Sequence, residues 1–244
     1  MKASPQEQQE LLRLQALDTR LSQLDHNLKM LPQHGALAQL TAPMDSVRQR
    51  QAEAAGRRED AQTELGRIES DVAVVEARMA RDADRLQQTA SMKDVEALEA
   101  EISALTKRRT DLEDIELTVM ERIEGIDAEL AGIAAERVVL DEQVEQLESA
   151  KGEQQVVLEA ERAAASADRA AIAAQLPQEL LALYERQRGR YGIGAALLVR
   201  GVSLGSNVKL TESDLQAIRV AADDDVVLCP DSGAILIRNE ESGL

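Results

Sequence analysis

The side chains best suited to nucleophilic or acid–base work are few: one thiol, Cys229, and two imidazoles, His26 and His34. Gly201-Val202-Ser203-Leu204-Gly205 matches the G-x-S-x-G elbow that exposes a nucleophilic serine. That elbow needs a strand–turn–helix setting and a histidine later in the chain to act as base. No histidine follows His34, so Ser203 reads as part of a turn between strands. A reactive thiolate needs a positive neighbourhood. Asp231 and the run Asp223-Asp224-Asp225 are expected to raise the pKa of Cys229 and leave it inert. That run lacks the alternating ligand spacing of a calcium loop and reads as a solvated segment. The sequence therefore predicts no catalytic residue, no cofactor and no enzyme.

Binding chemistry has more candidates. Arg186, Arg188, Arg190 and Arg200 gather around Tyr184 and Tyr191. Such a group can touch phosphates and stack on bases, or it can pair with acidic residues of the preceding helices. Lys107-Arg108-Arg109 is expected to pair with glutamates one turn away. The net charge of −17 opposes phosphate backbones and anionic membranes unless a basic face is set apart. Residues 1–10 carry no apolar signal segment, and no apolar run is long enough to span a bilayer. A single cysteine excludes an intramolecular disulfide. These features predict a cytoplasmic protein with no membrane contact.

The elements that must carry these residues are mostly helices. Hydrophobic residues make up 44% of the chain, yet aromatic residues only 1%, and charged residues reach 30%. Thin helix–helix seams tolerate such a mixture, whereas a thick core wants rings to fill volume. Ser4-Pro5-Gln6-Glu7 predicts a helix start with a capping box. Leu14, Leu17, Leu21, Leu24, Leu28 and Leu31 alternate in threes and fours, the spacing of a coiled-coil seam. Pro32 and Gly35 predict a break near 32–35. The seam resumes at Leu37 and runs to Leu86 through the poor seam residues Gln51, Arg58 and Asp82. Thr89-Ala90-Ser91-Met92 interrupts it, with Ser91 as a fresh N-cap. A second seam from Val95 to Leu147 slips once between Leu112 and Ile123, passing through Ile115, as a stutter would make it. Arms of matching length joined by a short turn predict an antiparallel hairpin over 1–176 with its tip at 89–92. A connecting helix is expected over 177–188. Residues 189–244 read as a small β-rich domain with a short helix opening at Thr211 and a turn at Pro230-Asp231-Ser232-Gly233. The fold class predicted is mainly α, a long coiled-coil hairpin followed by a small β-rich domain.

The tip Lys93-Asp94-Val95-Glu96-Ala97-Leu98-Glu99-Ala100-Glu101-Ile102, the segment Gly194-Ala195-Ala196-Leu197-Leu198-Val199, and the stretches Ser203–Ser206 and Cys229–Gly233 carry a resemblance. In order and spacing the chain resembles the bacterial coiled-coil hairpin proteins that end in a C4-type zinc ribbon. The resemblance implies four metal ligands at Ser203, Ser206, Cys229 and Ser232, of which only Cys229 is a cysteine. Serine hydroxyls are neutral and ligate zinc poorly. The ribbon is thus expected to be free of metal, with hydrogen bonds from the serine hydroxyls to backbone groups of the turns in place of metal bonds. Its core is expected from Leu197, Val199, Val202, Leu210, Leu215, Ile218, Val227, Leu228, Ile235 and Ile237.

The resemblance also implies binding of protein partners, and an association with RNA. The function expected is that of an adaptor, scaffold or chaperone-like regulator. Its contacts would lie at the tip, Ser91, Met92 and Lys93, and on the terminal domain, with self-association possible. The alternative is a nucleic-acid-binding regulator that uses Arg186, Arg188, Arg190 and Arg200.

Overall fold

The computed structural model describes all residues from Met1 to Leu244. They form two compact units: residues 33–148, and residues 1–32 together with 149–244. Four long or medium helices come first: α1 (Pro5–Lys29), α2 (Pro32–Gln88), α3 (Met92–Gln175) and α4 (Gln178–Tyr191). Five short strands and one further helix follow: β1 (Ala195–Val199), β2 (Val202–Ser203), β3 (Val208–Lys209), α5 (Glu212–Val220), β4 (Val227–Leu228) and β5 (Ile235–Ile237). The protein is mainly α, a long helical hairpin with a small strand-rich region at its C-terminal end. No helix is long and apolar enough to cross a membrane.

The unit of residues 33–148 is a hairpin of α2 and the first part of α3, joined by the turn 89–91. On α2, Val47, Ala54, Ala61 and Ile68 are buried; on α3, Leu98, Leu112, Val119, Ile126 and Ile133 are. Each set recurs in steps of seven or a multiple of it, which keeps one stripe against the partner helix. Ion pairs confirm the antiparallel direction. Arg50, Arg57 and Glu64 on α2 meet Glu136, Glu129 and Arg122 on α3, so partner numbers fall as α2 advances. All of these pairs are about half exposed, and each contributes little.

One detail departs from the sequence pattern. The slip expected through Ile115 does not occur. Ile115 is 44% exposed, and the half-buried seam position is Glu116. The threes and fours then continue unbroken from Leu98 to Leu147. Hydrophobicity pointed to Ile115, but helix geometry admits only one residue of that turn to the stripe. Lys107 and Arg108 form no ion pair, while Arg109 reaches Glu113 at 3.2 Å and Glu76 at 3.9 Å.

In the other unit, α1 begins as the sequence predicts. The Glu7 amide donates to Ser4 Oγ at 3.2 Å, and the Ser4 amide to Glu7 Oε2 at 2.7 Å. The helix ends at Lys29, where the Met30 amide still donates to the His26 carbonyl. Pro32 then opens α2, where a missing N–H costs nothing, and Gly35 lies inside that helix. α4 runs past Gly189 to Tyr191, and Gly192 ends it with φ 81°, a left-handed value that glycine adopts freely.

The strands form one sheet in the order β3-β2-β1-β5-β4, with β1 and β5 parallel and the other neighbours antiparallel. Ala195, Ile235 and Ile237 pack on Leu11, Leu14, Leu180 and Tyr184 of the helices. Leu198 and Leu236 turn to the opposite face and pack on Leu210, Leu215 and Ile218. Consecutive residues of β5 are all buried because both faces are covered. This corrects the expected core. Leu198 and Leu236 are central to it, whereas Leu228 is 41% exposed. The N-terminal residues lengthen the β4 edge: the Ala3 amide donates to the Asp224 carbonyl and the Val226 amide to the Met1 carbonyl. Arg238 gathers the loop after α5 by donating to the carbonyls of Ile218, Ala221, Ala222, Asp223 and Asp225.

Candidate functional site

Two turns in the strand-rich region share one pattern. The first, Ser203–Asn207, leads from β2 to β3; the second, Cys229–Gly233, leads from β4 to β5. In each, the first carbonyl accepts from the fifth amide: Asn207 to Ser203 at 2.8 Å, Gly233 to Cys229 at 2.9 Å. The fifth residue is left-handed in both, Asn207 at φ 54° and Gly233 at φ 69°. The first side chain accepts a nearby amide: Gly205 to Ser203 Oγ at 3.3 Å, Ser232 to Cys229 Sγ at 3.5 Å. The fourth side chain accepts from two residues on: Val208 to Ser206 Oγ at 3.3 Å, Ala234 to Ser232 Oγ at 3.4 Å. The turns touch at Gly205, where an added Cβ would lie 2.9 Å from Ala196 Cβ and 3.0 Å from Ser232 Oγ.

This arrangement brings together three of the four positions singled out in the sequence. Cys229 is 2% exposed, and Ser203 beside it is fully buried. Burial opposes the thiolate, but hydroxyls of Ser203 and Ser232 and the amides of Ser232 and Asp231 hydrogen-bond to the sulfur and hold the thiol below its ordinary value. The expectation that acidic neighbours raise it is thereby overturned. Asp231 contributes its amide, Asp224 is drawn to Lys2 at 2.9 Å, and Asp225 accepts the Ala222 amide. The run 223–225 is for the same reason a bonded loop and not a merely solvated one. Ser206 bonds only its own turn. A zinc ion does not fit these residues: one thiol with three neutral hydroxyls supplies too little charge. No group of three His, Cys, Asp or Glu side chains gathers elsewhere to hold an ion.

A second polar cluster lies where α1, α3 and α4 meet the start of β1. Asp18, on the same face as Leu11 and Leu14, is buried. Arg169 grips its two oxygens at 2.6 and 3.2 Å, Arg188 approaches at 3.1 Å, and the Tyr184 hydroxyl donates to it at 2.6 Å. Arg169 and Arg188 also share Glu185. Gln15 Oε1 accepts the Gly194 amide at 2.7 Å, next to the spot where a Cβ on Gly194 would strike the Tyr184 ring at 2.4 Å. Burial, and then the bond to Asp18, push the Tyr184 phenol well above its ordinary value. Burial opposes ionisation of Glu185, but the bonds from Arg169 and Arg188 outweigh it and lower its pKa. Sequence reasoning missed Asp18 and Arg169. The available signal was an acidic residue set four positions after Leu14, flush with an apolar stripe.

The four arginines separate. Arg188 belongs to the cluster just described. Arg186, Arg190 and Arg200 are exposed and form no ion pair. Arg190 lies over the Tyr191 ring, 5.1 Å from its centre, and that ring covers Gly233. At the tip, Ser91, Met92 and Lys93 are all exposed, Met92 at 76%. The Ser91 carbonyl accepts from Val95 at 3.0 Å, which starts α3.

Known proteins share this design. The model of the CT398-like coiled-coil hairpin domain matches residues 14–192. An uncharacterized protein of Mycobacterium tuberculosis is 34% identical over 253 aligned positions, covering 98% of each chain. A solved structure from Mycobacterium smegmatis superimposes with a TM-score of 0.86 at 32% identity, covering 98% of this chain and 100% of that one. CT398 of Chlamydia trachomatis shares the fold with a TM-score of 0.64 at 19% identity, covering 95% and 97%. With most of its helical length matched by that model, the chain belongs to the CT398-like coiled-coil hairpin family.

Proposed function

We propose that the protein is a non-enzymatic adaptor that binds a protein partner through the hairpin tip and the terminal domain. The observation that carries this reading is Met92, a large apolar side chain left 76% exposed on the first turn of α3, between exposed Ser91 and Lys93. The hairpin seam has no use for it there. Exposed apolar side chains rimmed by polar ones suit contact with another protein. A photo-crosslinking residue at Met92 should capture one discrete partner in living cells. The same residue at Val74, also exposed but on the helix shaft, should not. Equal capture from both positions would remove the tip from the proposal.

The paired turns support a further part of this reading: a ribbon that folds on hydrogen bonds to Cys229 where its relatives by resemblance would use zinc. A second reading rests on Tyr191, which is 47% exposed beneath Arg190, with unpaired Arg186 and Arg200 in the same unit. A ring and guanidinium so placed suit stacking against a base. Filter binding of single-stranded RNA across a salt series tests it. Binding that falls steeply with salt, and falls again in Arg190→Gln, supports this role.

A further inference from the structure

The strand-rich region keeps one apolar platform open at the end where its two turns meet. The Leu204 amide donates to the Leu197 carbonyl at 3.0 Å, so Leu204 stands opposite Leu197 as the β1–β2 pairing continues. Leu197 packs toward the helices, and side chains directly opposite each other on paired strands share a face. Leu228 pairs with Ile235, which also packs toward the helices. Both leucines therefore lie on the helix side of the sheet, while Cys229 turns to the α5 side and takes Ser203 with it. Tyr191 joins them at the end of α4. Its ring lies on Gly233, where an added Cβ would strike it at 2.4 Å. All three side chains are close to half exposed. The other aromatic ring of the chain, Tyr184, is fully buried. An open ring seated on a fitted glycine is placed for contact outside the chain.

The cations beside this platform are free. Arg190 stands over the Tyr191 ring, and Arg186 lies one turn before it on α4; both are exposed and neither forms an ion pair. The positions on α4 one turn from either, such as Ala182, Leu183 and Gln187, hold no carboxylate. Glu185 points to Arg169 and Arg188 instead. The turn beneath the ring adds one exposed carboxylate, Asp231.

We infer that this platform docks an acidic amphipathic helix of a protein partner, resting on the reading of the chain as an adaptor whose terminal domain meets a partner. Three strand spacings separate β2 from β4, about 14 Å, with the Tyr191 ring between them. A helix of three turns is about 16 Å long, so one apolar stripe reaches Leu204, Tyr191 and Leu228. Carboxylates beside that stripe meet Arg186 and Arg190. Tyrosine and arginine are also the side chains that most often anchor a protein contact. RNA suits the platform less well. It brings a charge at every nucleotide against Asp231 and a chain of net −17, and the leucines offer it neither a stacking face nor a hydrogen bond.

Random peptides long enough for three helical turns, displayed on phage and selected on the full-length protein, test this. Enriched peptides should carry leucine, isoleucine or phenylalanine at helical spacing with aspartate or glutamate alongside. Leu204→Ser, Leu228→Ser and Tyr191→Ala should each weaken a synthetic copy by about tenfold or more. Arg190→Glu should do the same, and a lysine in place of the peptide's acid should restore binding to that variant, which a merely structural role would not allow. Val74→Ser and Arg67→Glu, exposed positions in the other unit, should leave binding unchanged. No enrichment, a basic consensus, or an equal loss in the two control variants overturns the inference. Single-stranded RNA that binds this surface more tightly than the selected peptides overturns it as well. Capture at Met92 in cells without peptide binding here ends this inference alone and leaves the adaptor reading standing. Circular dichroism checks that each variant folds, and should Tyr191→Ala not fold, the charge swap at Arg190 decides the matter.

Discussion

The hairpin unit of residues 33–148 and the sheet of the other unit bury their side chains under different rules. In the hairpin, burial returns at Val47, Ala54, Ala61 and Ile68 because each helix has one partner and so one inner stripe. In the sheet, Ile235, Leu236 and Ile237 are buried in succession because helices cover one face and α5 the other. The hairpin unit spreads its stability along many similar layers. The sheet unit concentrates it in a few contacts between residues far apart in sequence, such as Tyr184 with Asp18 and Ser242 with the Leu198 carbonyl. A single substitution should therefore hurt the sheet unit more than the hairpin.

The largest effect tests the paired turns. Ser203→Cys, Ser206→Cys and Ser232→Cys together should create stoichiometric zinc binding beside Cys229, on the order of 10 kcal/mol in a folded site. Elemental analysis and a chelator-sensitive melting temperature would read it. A triple variant without zinc would mean that the two turns do not face each other as ligand loops.

Next comes the buried cluster. Asp18→Ala strands Arg169 and the Tyr184 hydroxyl, and should cost about 3–5 kcal/mol in chemical denaturation. The same cluster predicts a pH profile for the sheet unit. Glu185 is depressed below its ordinary 4.5, so its contribution is present above that pH and is lost as pH falls through the lower folded value. Tyr184 is raised above its ordinary 10.0, so its contribution holds below that pH and fades as pH rises beyond it. Amide exchange should show the helix-sheet core loosening at both ends of the range, more than the central hairpin. A flat profile in that core would remove the cluster from its stability.

Within the hairpin, Ile126→Ala should cost about 2–4 kcal/mol, the range for a buried aliphatic side chain. A smaller change of opposite sign is expected at Asp82, which is 5% exposed in the seam with Oδ2 lacking a hydrogen bond. Arg78 and Arg85 approach it only to 3.9 and 3.7 Å. Asp82→Leu should raise stability by about 1–2 kcal/mol, since a well-packed apolar residue replaces a poorly compensated buried charge. A lower melting temperature would show that the two arginines stabilise it after all. The smallest effect is at Ile115→Ala, within about 0.5 kcal/mol because the side chain lies outside the stripe. A loss equal to that of Ile126→Ala would restore the slipped register.

Much of the hairpin was legible before any coordinates. Ser4 and Glu7 cap α1, Pro32 starts α2, and the alternation of threes and fours from Leu37 to Leu86 marks the inner face of α2. These signals are local, because a residue's place on a helix depends only on its distance from its neighbours along the chain. At Ile115 hydrophobicity alone chose wrongly, because the seam position of that turn falls on its charged neighbour Glu116. The turn signature at Pro230–Gly233 was also local and readable. What the sequence did not reveal depends on contacts across long separations. Nothing near Asp18 announces Arg169. The resemblance did group Ser203 with Cys229, but only the fold turns the Ser203 and Ser232 hydroxyls to the sulfur. Leu198 and Leu236 lie in apolar runs whose alternation is hidden once both sheet faces are covered. The sequence alone determined the helices, their seam and the residue types offered to each turn. The tertiary structure alone decided which charges became buried partners and how the thiol was tuned, because those outcomes rest on distances through space that no short-range pattern encodes.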